Sequence, residues 1–403
     1  MEKFPSMKRL KPRFAPALAA LVLSSLSAFA QSGATRPRRV TPSPPPPTAA
    51  SDNSTATTRR PTTSAATGDT TQAFALLEQK QYDAALREAR AAAERDPKNA
   101  EAWKIAGFAE YNLKQYAEAA KDLERALELQ RAAPGGEDEN TVDALARSYV
   151  FTEQFDKALP LLVVATSRKG KPADASALYY RGLAEYRTNK PADAERSFNA
   201  AVKVDPKLTG ALFYLGRIAF ERKDDAAAIS ALNRATLADP RLAEAWSYLT
   251  YAYLRRADAA QGPAADADYL SAVKASEGLL RARPNDEAAT MLHAQALIRA
   301  GQFVRAATAL ERLAAKPDAA AQTLYLLGLA HSRAKNLPKA VAALERAAAK
   351  SPDDANVYRE LGYALEASKQ YAKALAAYEK GLSLAPDDAY FKESADRVRP
   401  FAK

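Results

Sequence analysis

The residues that could carry out acid–base, nucleophilic or metal chemistry are few and badly spaced for it. The 403-residue sequence contains no cysteine and only two histidines, His293 and His331. Thiolate catalysis, disulfide bonds and cysteine-bound zinc are therefore excluded. The two histidines are far from the i, i+4 spacing that would place both imidazoles on one helical face for a metal ion. We interpret each of them as a side chain packed between helices.

Acidic pairs and glycines offer no better catalytic site. Asp224-Asp225 and Asp353-Asp354 adjoin turns, where helix capping and solvation explain them better than general acid–base catalysis. Gly170 is followed by a lysine and then by proline, and the run does not complete a phosphate-binding loop. We therefore expect no enzymatic activity, no cofactor and no bound metal.

The elements that must position every side chain come from an internal repeat. Pro206 and Pro240 are separated by the same interval as Pro352 and Pro386. Alignment on these prolines gives nine units, which begin near residues 66, 100, 139, 175, 209, 243, 287, 321 and 355. The sixth unit requires a ten-residue insertion, ADAAQGPAAD.

Two places in the unit, counted from its first residue, hold small side chains throughout. The twentieth place is always alanine: Ala85, Ala119, Ala158, Ala194, Ala228, Ala272, Ala306, Ala340 and Ala374. The eighth place holds Ala73, Gly107, Ala146, Gly182, Gly216, Thr250, Ala294, Gly328 and Gly362. Glycine inside a helix costs about 1 kcal/mol relative to alanine, so its recurrence indicates that two helices touch there. The pattern predicts helical hairpins that stack, because one hairpin alone cannot bury both of its faces.

This repeat resembles the tetratricopeptide repeat family, whose pattern is W-x2-L-G-x2-Y, then A-x3-F, then P over about 34 residues. The fifth and ninth units match it at Leu212, Leu215, Gly216, Ala228, Leu232 and Pro240 and at Tyr358, Leu361, Gly362, Ala374, Tyr378 and Pro386. The resemblance implies an all-α fold, an α-solenoid of about nine helical hairpins that form a right-handed superhelix. We expect the amphipathic tail AYFKESADRVRPF to form a C-terminal capping helix.

Places 2, 5, 9, 12 and 13 of each first helix share one face, because an α-helix repeats every 3.6 residues. In the tetratricopeptide family this face lines the concave surface and holds ligands. Here it is rich in aromatic and arginine side chains, which are common at binding hot spots. The candidate ligand-binding residues are Phe108, Tyr111, Arg147, Phe151, Tyr179, Tyr186, Arg187, Phe213, Arg217, Phe220, Tyr251, Arg255, Arg299, Tyr325, Arg333, Arg359 and Tyr363.

An alternative for the same face is structural: the tyrosines pack neighbouring first helices and the arginines are solvated. Some family members bind a C-terminal carboxylate with lysine at place 5 and asparagine at place 9. Place 9 is never asparagine in this sequence, so we do not expect that carboxylate clamp.

The N-terminal part of the sequence is expected to lie outside the repeat fold. Residues 1–30 combine a basic stretch, an apolar run and the Ala28-Phe29-Ala30 exit of a secretory signal peptide, so we expect cleavage before Gln31. An uncleaved membrane anchor is the alternative. Residues 31–70 are rich in proline, serine and threonine, which predicts a disordered linker. The repeat array then occupies residues 71–388, and the capping helix and tail occupy residues 389–403.

The charge distribution argues against a nucleic-acid partner. Of the net charge of +10, the signal-like stretch 1–30 carries +4 and the linker 31–70 carries +3, so the repeat region is nearly balanced. A nucleic-acid interface needs a concentrated basic stripe. On the candidate face, basic residues outnumber acidic ones, which favours an acidic partner.

Three classes of function remain, with different expectations for the ligand. We favour a non-catalytic exported scaffold, periplasmic or secreted, that binds a protein or an extended peptide in the concave groove as part of a cell-envelope assembly. The alternative is glycan handling in polysaccharide export, in which tyrosines would stack on sugars. An enzyme is the least favoured class.

Overall fold

Helices and turns account for all the regular structure in the computed structural model over the residues that it describes, 69–168, 170 and 172–403. The predicted signal peptide and almost all of the predicted linker lie outside these described residues. Among the described helices, none is both long enough and apolar enough to cross a membrane.

The α-helices follow one another at nearly regular intervals. They are α1 (Thr71–Glu78), α2 (Tyr82–Arg95), α3 (Ala100–Asn112), α4 (Tyr116–Ala132), α5 (Glu139–Phe151), α6 (Phe155–Thr166), α7 (Ala175–Arg187), α8 (Pro191–Val204), α9 (Thr209–Glu221), α10 (Asp225–Ala238), α11 (Ala243–Ala259), α12 (Pro263–Ala282), α13 (Glu287–Arg299), α14 (Phe303–Ala314), α15 (Ala321–Arg333), α16 (Leu337–Lys350), α17 (Ala355–Ala367), α18 (Tyr371–Leu384) and α19 (Ala389–Val398), followed by a 3-10 turn, Arg399–Phe401.

The order of these helices confirms the predicted all-α repeat class. The first helices of units two to nine begin at the residues that the alignment gives, and only the first unit differs, because α1 begins at Thr71. The described residues form two compact units, an N-terminal unit of residues 69–218 and a C-terminal unit of residues 219–403. Within each unit, successive helices pack on their neighbours.

Small side chains at the hairpin contacts are buried throughout. The alanine at the twentieth place has no exposed surface in any of the nine units. A Cβ atom added to Gly182 would lie 2.8 Å from the Phe198 ring, and one added to Gly328 would lie 2.5 Å from Leu344 Cγ. Both large side chains come from the twenty-fourth place of the same unit. Glycine at these two eighth places therefore leaves room for the bulky side chain of the second helix to lie directly on the first helix.

The insertion in the sixth unit lengthens both helices of that hairpin. α11 continues to Ala259 and α12 begins at Pro263, so the connecting turn is short. Arg256 donates two hydrogen bonds to Asp268, at 2.7 and 2.6 Å, and thereby links the two extended helices. The predicted insertion is confirmed as additional helix rather than as a long loop.

Most turns inside the hairpins contain one residue in the left-handed region of backbone conformation. These residues occupy place 15 and have φ between 59° and 70°: Lys80, Lys114, Glu153, Asn189, Lys223, Gly301, Lys335 and Lys369. Only one of the eight is glycine, although a side chain in this conformation costs about 1 kcal/mol or more. The tight turn between the two helices therefore outweighs the backbone preference of the residue at place 15.

The last helix covers the end of the repeat array. Phe391 of α19 has no exposed surface and lies on Gly381 of α18, where a Cβ atom would overlap its ring. Arg397 donates hydrogen bonds to both carboxylate oxygens of Glu366, at 2.8 and 3.0 Å. These contacts attach α19 to both helices of the ninth hairpin.

Candidate binding site on the first helices

A cavity of about 260 Å³ lies between α3 and α5 in the N-terminal unit. Its lining comes from the second and third repeats: Phe108, Tyr111 and Asn112 of α3, and Asn140, Asp143, Ala144 and Arg147 of α5. All of these except Ala144 stand at places 2, 5, 9, 12 or 13, the places predicted to form the ligand-binding face. The helical register therefore places the candidate face on a cavity.

Local capping fixes the two helices that form this cavity. Asn99 caps α3 and its side chain accepts hydrogen bonds from the main-chain N–H groups of Glu101 and Ala102, both at 3.1 Å. Asp138 caps α5 and accepts from Thr141 N at 2.9 Å. These caps set where each helix begins, and therefore which side chains face the cavity.

Hydrogen bonds also set the polar edges of the cavity. Gln130 of α4 donates to Thr141 Oγ1 and accepts from Asp138 N, both at 3.1 Å, which joins α4 to the start of α5 beside Asn140. At the other edge, Asn112 Nδ2 donates to the carbonyl oxygen of Phe108 at 2.8 Å. The carboxamides of Asn112 and Asn140 are both exposed.

The charged groups of the lining are paired with neighbouring residues. Asp143 accepts two hydrogen bonds from Arg168, at 3.0 and 2.7 Å. Arg147 donates to Asp174 at 3.5 Å, and its guanidinium carbon lies 5.9 Å from the centre of the Tyr180 ring. The one acid and the one base of the lining therefore already have partners of opposite charge.

Aromatic rings form a contiguous wall next to the cavity. The Tyr111 ring lies 5.5 Å from Tyr116 and 6.2 Å from Phe151, and Tyr116 stacks on Phe151 at 4.4 Å. Phe151 in turn contacts Tyr180 edge to face at 5.7 Å. Burial raises the pKa of Tyr180 to about 12, and burial also raises the pKa of Tyr116. These rings pack on one another and restrict the orientation of Tyr111, which is partly exposed.

The other candidate residues differ widely in exposure. Tyr179, Phe220 and Tyr325 are buried, with 6%, 6% and 7% of their surface exposed. Their rings pack inside their own units and support the face from within, so they do not form its surface. Arg187 is exposed, and the remaining candidates are partly exposed: Phe108, Tyr111, Arg147, Phe151, Tyr186, Phe213, Arg217, Tyr251, Arg255, Arg299, Arg333, Arg359 and Tyr363.

In the C-terminal unit, two candidate arginines link neighbouring hairpins. Arg255 makes three hydrogen bonds to Asp225, at 2.6 to 3.0 Å, and one to the carbonyl oxygen of Phe220 at 2.9 Å. Its guanidinium lies 4.0 Å from the centre of the Phe220 ring. Arg299 of α13 forms an ion pair with Asp258 of α11.

The two candidate arginines nearest the C terminus have the same arrangement. Arg333 of α15 donates to Glu360 of α17 at 3.0 Å and lies over the Tyr363 ring at 5.3 Å. Arg359 forms an ion pair with Asp388, the cap of α19, and lies over the Tyr390 ring at 4.9 Å. In this unit the arginines therefore link neighbouring elements through ion pairs, whereas the structural alternative for this face had them solvated.

In the N-terminal unit, two further arginines stack on aromatic rings. The guanidinium carbon of Arg217 lies 5.2 Å from the centre of the Tyr186 ring, and that of Arg187 lies 5.3 Å from Phe155. Arg187 and Phe155 belong to adjacent repeats, so this contact also joins hairpins.

Both histidines are buried between helices, as predicted from their positions in the repeat. His293 Nδ1 lies 2.9 Å from Ser276 Oγ, and burial lowers the pKa of both His293 and His331. Asp224 and Asp354 cap α10 and α17, as expected, and accept from main-chain N–H groups at 3.0 and 2.9 Å. The part of the chain that the structure describes contains no group of three or more histidine and acidic side chains that could hold a metal ion.

A buried acid pair lies where α2, α3 and α4 meet. Glu110 and Asp122 are 1% and 6% exposed, and Arg90 Nη2 donates to Glu110 Oε1 at 2.5 Å and to Asp122 Oδ2 at 3.0 Å. Burial raises the pKa of Glu110 to about 7, although the hydrogen bond from Arg90 opposes that shift. Burial also raises the pKa of Asp122. The second carboxylate oxygen of Glu110 is buried without a hydrogen-bond partner among the described residues.

Besides Ala144, three residues of the cavity were not among the sequence candidates: Asn112, Asn140 and Asp143. They stand at places 13, 2 and 5 of their units, so the register alone would have found them. The preference for aromatic and arginine side chains left them out. The buried pair of Glu110 and Asp122 had no comparable signal, because the two residues belong to different helices.

The repeat signature assigns the chain to a known family. A family model described as tetratricopeptide repeat matches residues 70–137, 144–207, 184–243 and 325–389, which together make up more than half of the chain. The chain therefore belongs to the tetratricopeptide repeat family. A second model, described as anaphase-promoting complex, cyclosome, subunit 3, matches residues 266–347.

Solved structures of similar repeat proteins share low sequence identity with this chain. MamA (residues 41 to the end) from Desulfovibrio magneticus RS-1 is 21% identical, with 45% of this chain and 96% of that chain covered and a TM-score of 0.39. YrrB, described as a tetratricopeptide protein with an unusual peptide-binding site, is 17% identical, with 50% and 95% covered and a TM-score of 0.39. A tetratricopeptide repeat protein from Parabacteroides merdae ATCC 43184 is 16% identical, with 65% and 98% covered and a TM-score of 0.40. The comparison with curated proteins gave no match.

Proposed function

We propose that this protein is a non-catalytic, exported adaptor that binds an extended segment of a partner protein across the first helices of its N-terminal unit. Membership of the tetratricopeptide repeat family supports a protein-binding adaptor in general. The observation that carries the more specific proposal is the cavity between α3 and α5, whose lining occupies the places predicted for ligand contact.

The lining of the cavity suits a peptide that lies across the helices. Phe108 and Tyr111 offer partly exposed rings for apolar contact, and the ring cluster behind Tyr111 keeps it in place. The carboxamides of Asn112 and Asn140 can each donate and accept hydrogen bonds. A rigid face of this kind loses little conformational entropy when a ligand binds.

Site-specific photo-crosslinking tests this proposal. Full-length protein with p-benzoylphenylalanine in place of Asn140 is irradiated in an extract of the source cell envelope, and the crosslinked product is identified by mass spectrometry. We expect a specific protein partner whose crosslinked residues fall in one extended segment. The same probe in place of Val164, which is 52% exposed on the second helix α6 and outside the cavity, is the matched control.

Two other outcomes would contradict the adaptor proposal. Equal crosslinking from both positions would mean that the product does not report on the cavity. A polysaccharide attached at position 140 would favour the glycan-handling alternative.

Export is a separate part of the proposal and rests on the signal-like residues 1–30. Mass spectrometry of the mature protein should find Gln31 as the first residue. An intact N terminus on a membrane-bound protein would instead indicate an anchor.

A further inference from the structure

We infer that the cavity between α3 and α5 binds one uncharged side chain of the partner, an aromatic or large aliphatic residue, whose main chain is held between the carboxamides of Asn112 and Asn140. This inference rests on the proposed function and specifies the ligand chemistry of the same site. It departs from the expectation of an acidic partner, which was based on the number of arginines on this face.

The size of the cavity suits a single side chain. Its volume is about 260 Å³, whereas sites for drug-sized ligands usually occupy about 300–1,000 Å³. An apolar cavity of about 150 Å³ is already large enough to hold a benzene molecule. A phenyl ring or a leucine side chain therefore fits, and a drug-sized ligand usually occupies more space than this cavity offers.

The electrostatics of the lining select against a charged side chain. Asp143 is bound by Arg168 through two hydrogen bonds, and Arg147 is paired with Asp174. A carboxylate or an ammonium group that entered the cavity would have to break one of these pairs or remain without a counter-charge. Either event costs free energy, because a desolvated charge without a partner is strongly unfavourable.

The polar groups at the edges match the needs of a peptide backbone. Asn112 already uses one amide hydrogen on the carbonyl oxygen of Phe108, and its side-chain oxygen can accept a hydrogen bond from another donor. Asn140 is exposed on the opposite helix and offers both a donor and an acceptor. An extended peptide unit carries one N–H and one C=O on each residue, and the two carboxamides can satisfy them on either side of the anchor.

The test uses amino-acid amides as probes with the full-length protein. N-acetyl-phenylalanine amide, N-acetyl-leucine amide, N-acetyl-glutamate amide, N-acetyl-lysine amide and glucose are each examined by saturation-transfer NMR and by titration. We expect the two apolar amides to bind with dissociation constants of about 1 mM, and the charged amides and glucose to bind at least about tenfold more weakly, a difference of about 1.4 kcal/mol.

Two variants show where the apolar amides bind. Phe108→Ala removes one wall of the cavity and should weaken phenylalanine amide binding by about tenfold. Val164→Ala removes an exposed apolar side chain from a second helix of the same unit and should leave binding unchanged. Circular dichroism of both variants checks that the fold is intact. An equal effect of the two variants would place the amide elsewhere and overturn the inference.

The remaining outcomes separate this inference from the proposed function. If glutamate or lysine amide binds as well as leucine amide, an uncharged anchor is ruled out. If glucose binds in preference to every amide, the ligand is a sugar. If no amide binds while position 140 still crosslinks a protein segment, the inference fails and the adaptor function stands. If the apolar amides bind but position 140 captures no protein, the adaptor function fails.

Discussion

Replacing Glu110 with glutamine should stabilise the second hairpin at pH 8 and give a much smaller gain at pH 5. Glu110 and Asp122 are both buried and share a single guanidinium, that of Arg90. When both carboxylates are ionised, one buried negative charge is left uncompensated. The Glu110→Gln variant removes this excess charge and keeps the 3.0 Å contact between Arg90 and Asp122.

The direction of the pH dependence follows from the raised pKa of Glu110. This pKa is about 7 in the folded protein and about 4.3 in an unfolded chain. Between these values the folded state binds more protons than the unfolded state, so stability falls as the pH rises from about 4.3 to about 7. Above pH 7 the full cost of ionising Glu110, on the order of 3 kcal/mol, is present. Glutamine carries no proton that titrates, so the variant avoids this cost.

Hydrogen exchange of peptides from α3 and α4, corrected for intrinsic rates, measures the local free energy of opening. Relative to the wild type, Glu110→Gln should raise it by about 1–3 kcal/mol at pH 8 and change it by less than about 1 kcal/mol at pH 5. The matched control is Glu185→Gln. Glu185 stands at the same place of the fourth unit, is 3% exposed, and is bound by Arg181 at 2.8 Å and Ser197 at 2.6 Å.

Glu185 has no second carboxylate beside it among these contacts, so the control should lose stability at both pH values. The reasoning would be refuted if Glu110→Gln also destabilised the hairpin equally at pH 5 and pH 8. That result would mean that Glu110 is ionised in the folded protein across this range and contributes a favourable ion pair.

Three further predictions concern the stability of the repeats, each measured by thermal and urea unfolding of the full chain. Gly328→Ala should lower the free energy of unfolding by about 1–3 kcal/mol, because its Cβ atom would lie 2.5 Å from Leu344 Cγ. Gly135→Ala, with nothing within 4 Å of the added atom, should have no effect. Equal changes in the two variants would contradict the close contact of the two helices. Lys335→Gly should raise stability by about 0.5 kcal/mol, because glycine adopts the φ of 65° at this turn without strain. Lys339→Gly, inside α16, should lower stability by about 1 kcal/mol. A loss of stability in both variants would mean that the turn stores no strain. Arg255→Ala should lower stability by about 1–3 kcal/mol, because it leaves the half-buried Asp225 without its three hydrogen bonds. Arg305→Ala, which breaks an ion pair exposed on both sides, should change stability by less than about 1 kcal/mol. No difference between these variants would argue that Arg255 is free for a ligand.

The sequence alone determined the repeat and its register. Alanine at the twentieth place and small residues at the eighth follow from a local requirement, the contact between two helices of one hairpin. This requirement recurs in every hairpin, and it therefore leaves a signal in each unit. The same register then identified the face that carries the cavity, because residues on one face of a helix follow from periodicity alone. Whether a ligand binds at that face stays a prediction.

Only the tertiary structure decided which side chains of that face are surface and which are support. Tyr179 and Tyr325 stand at the same place in their repeats as Asp143, yet both rings are buried while Asp143 lines the cavity. Arg255 looked available in the sequence, but its partner Asp225 lies 30 positions earlier on another helix. Burial and ion pairing at these sites depend on the distance between adjacent hairpins. That distance is set by the packed volume of the side chains that both hairpins place in the interface. Periodicity within a single repeat carries no information about such pairs. The raised pKa of Glu110 is decided in the same way, because three helices meet around the guanidinium of Arg90.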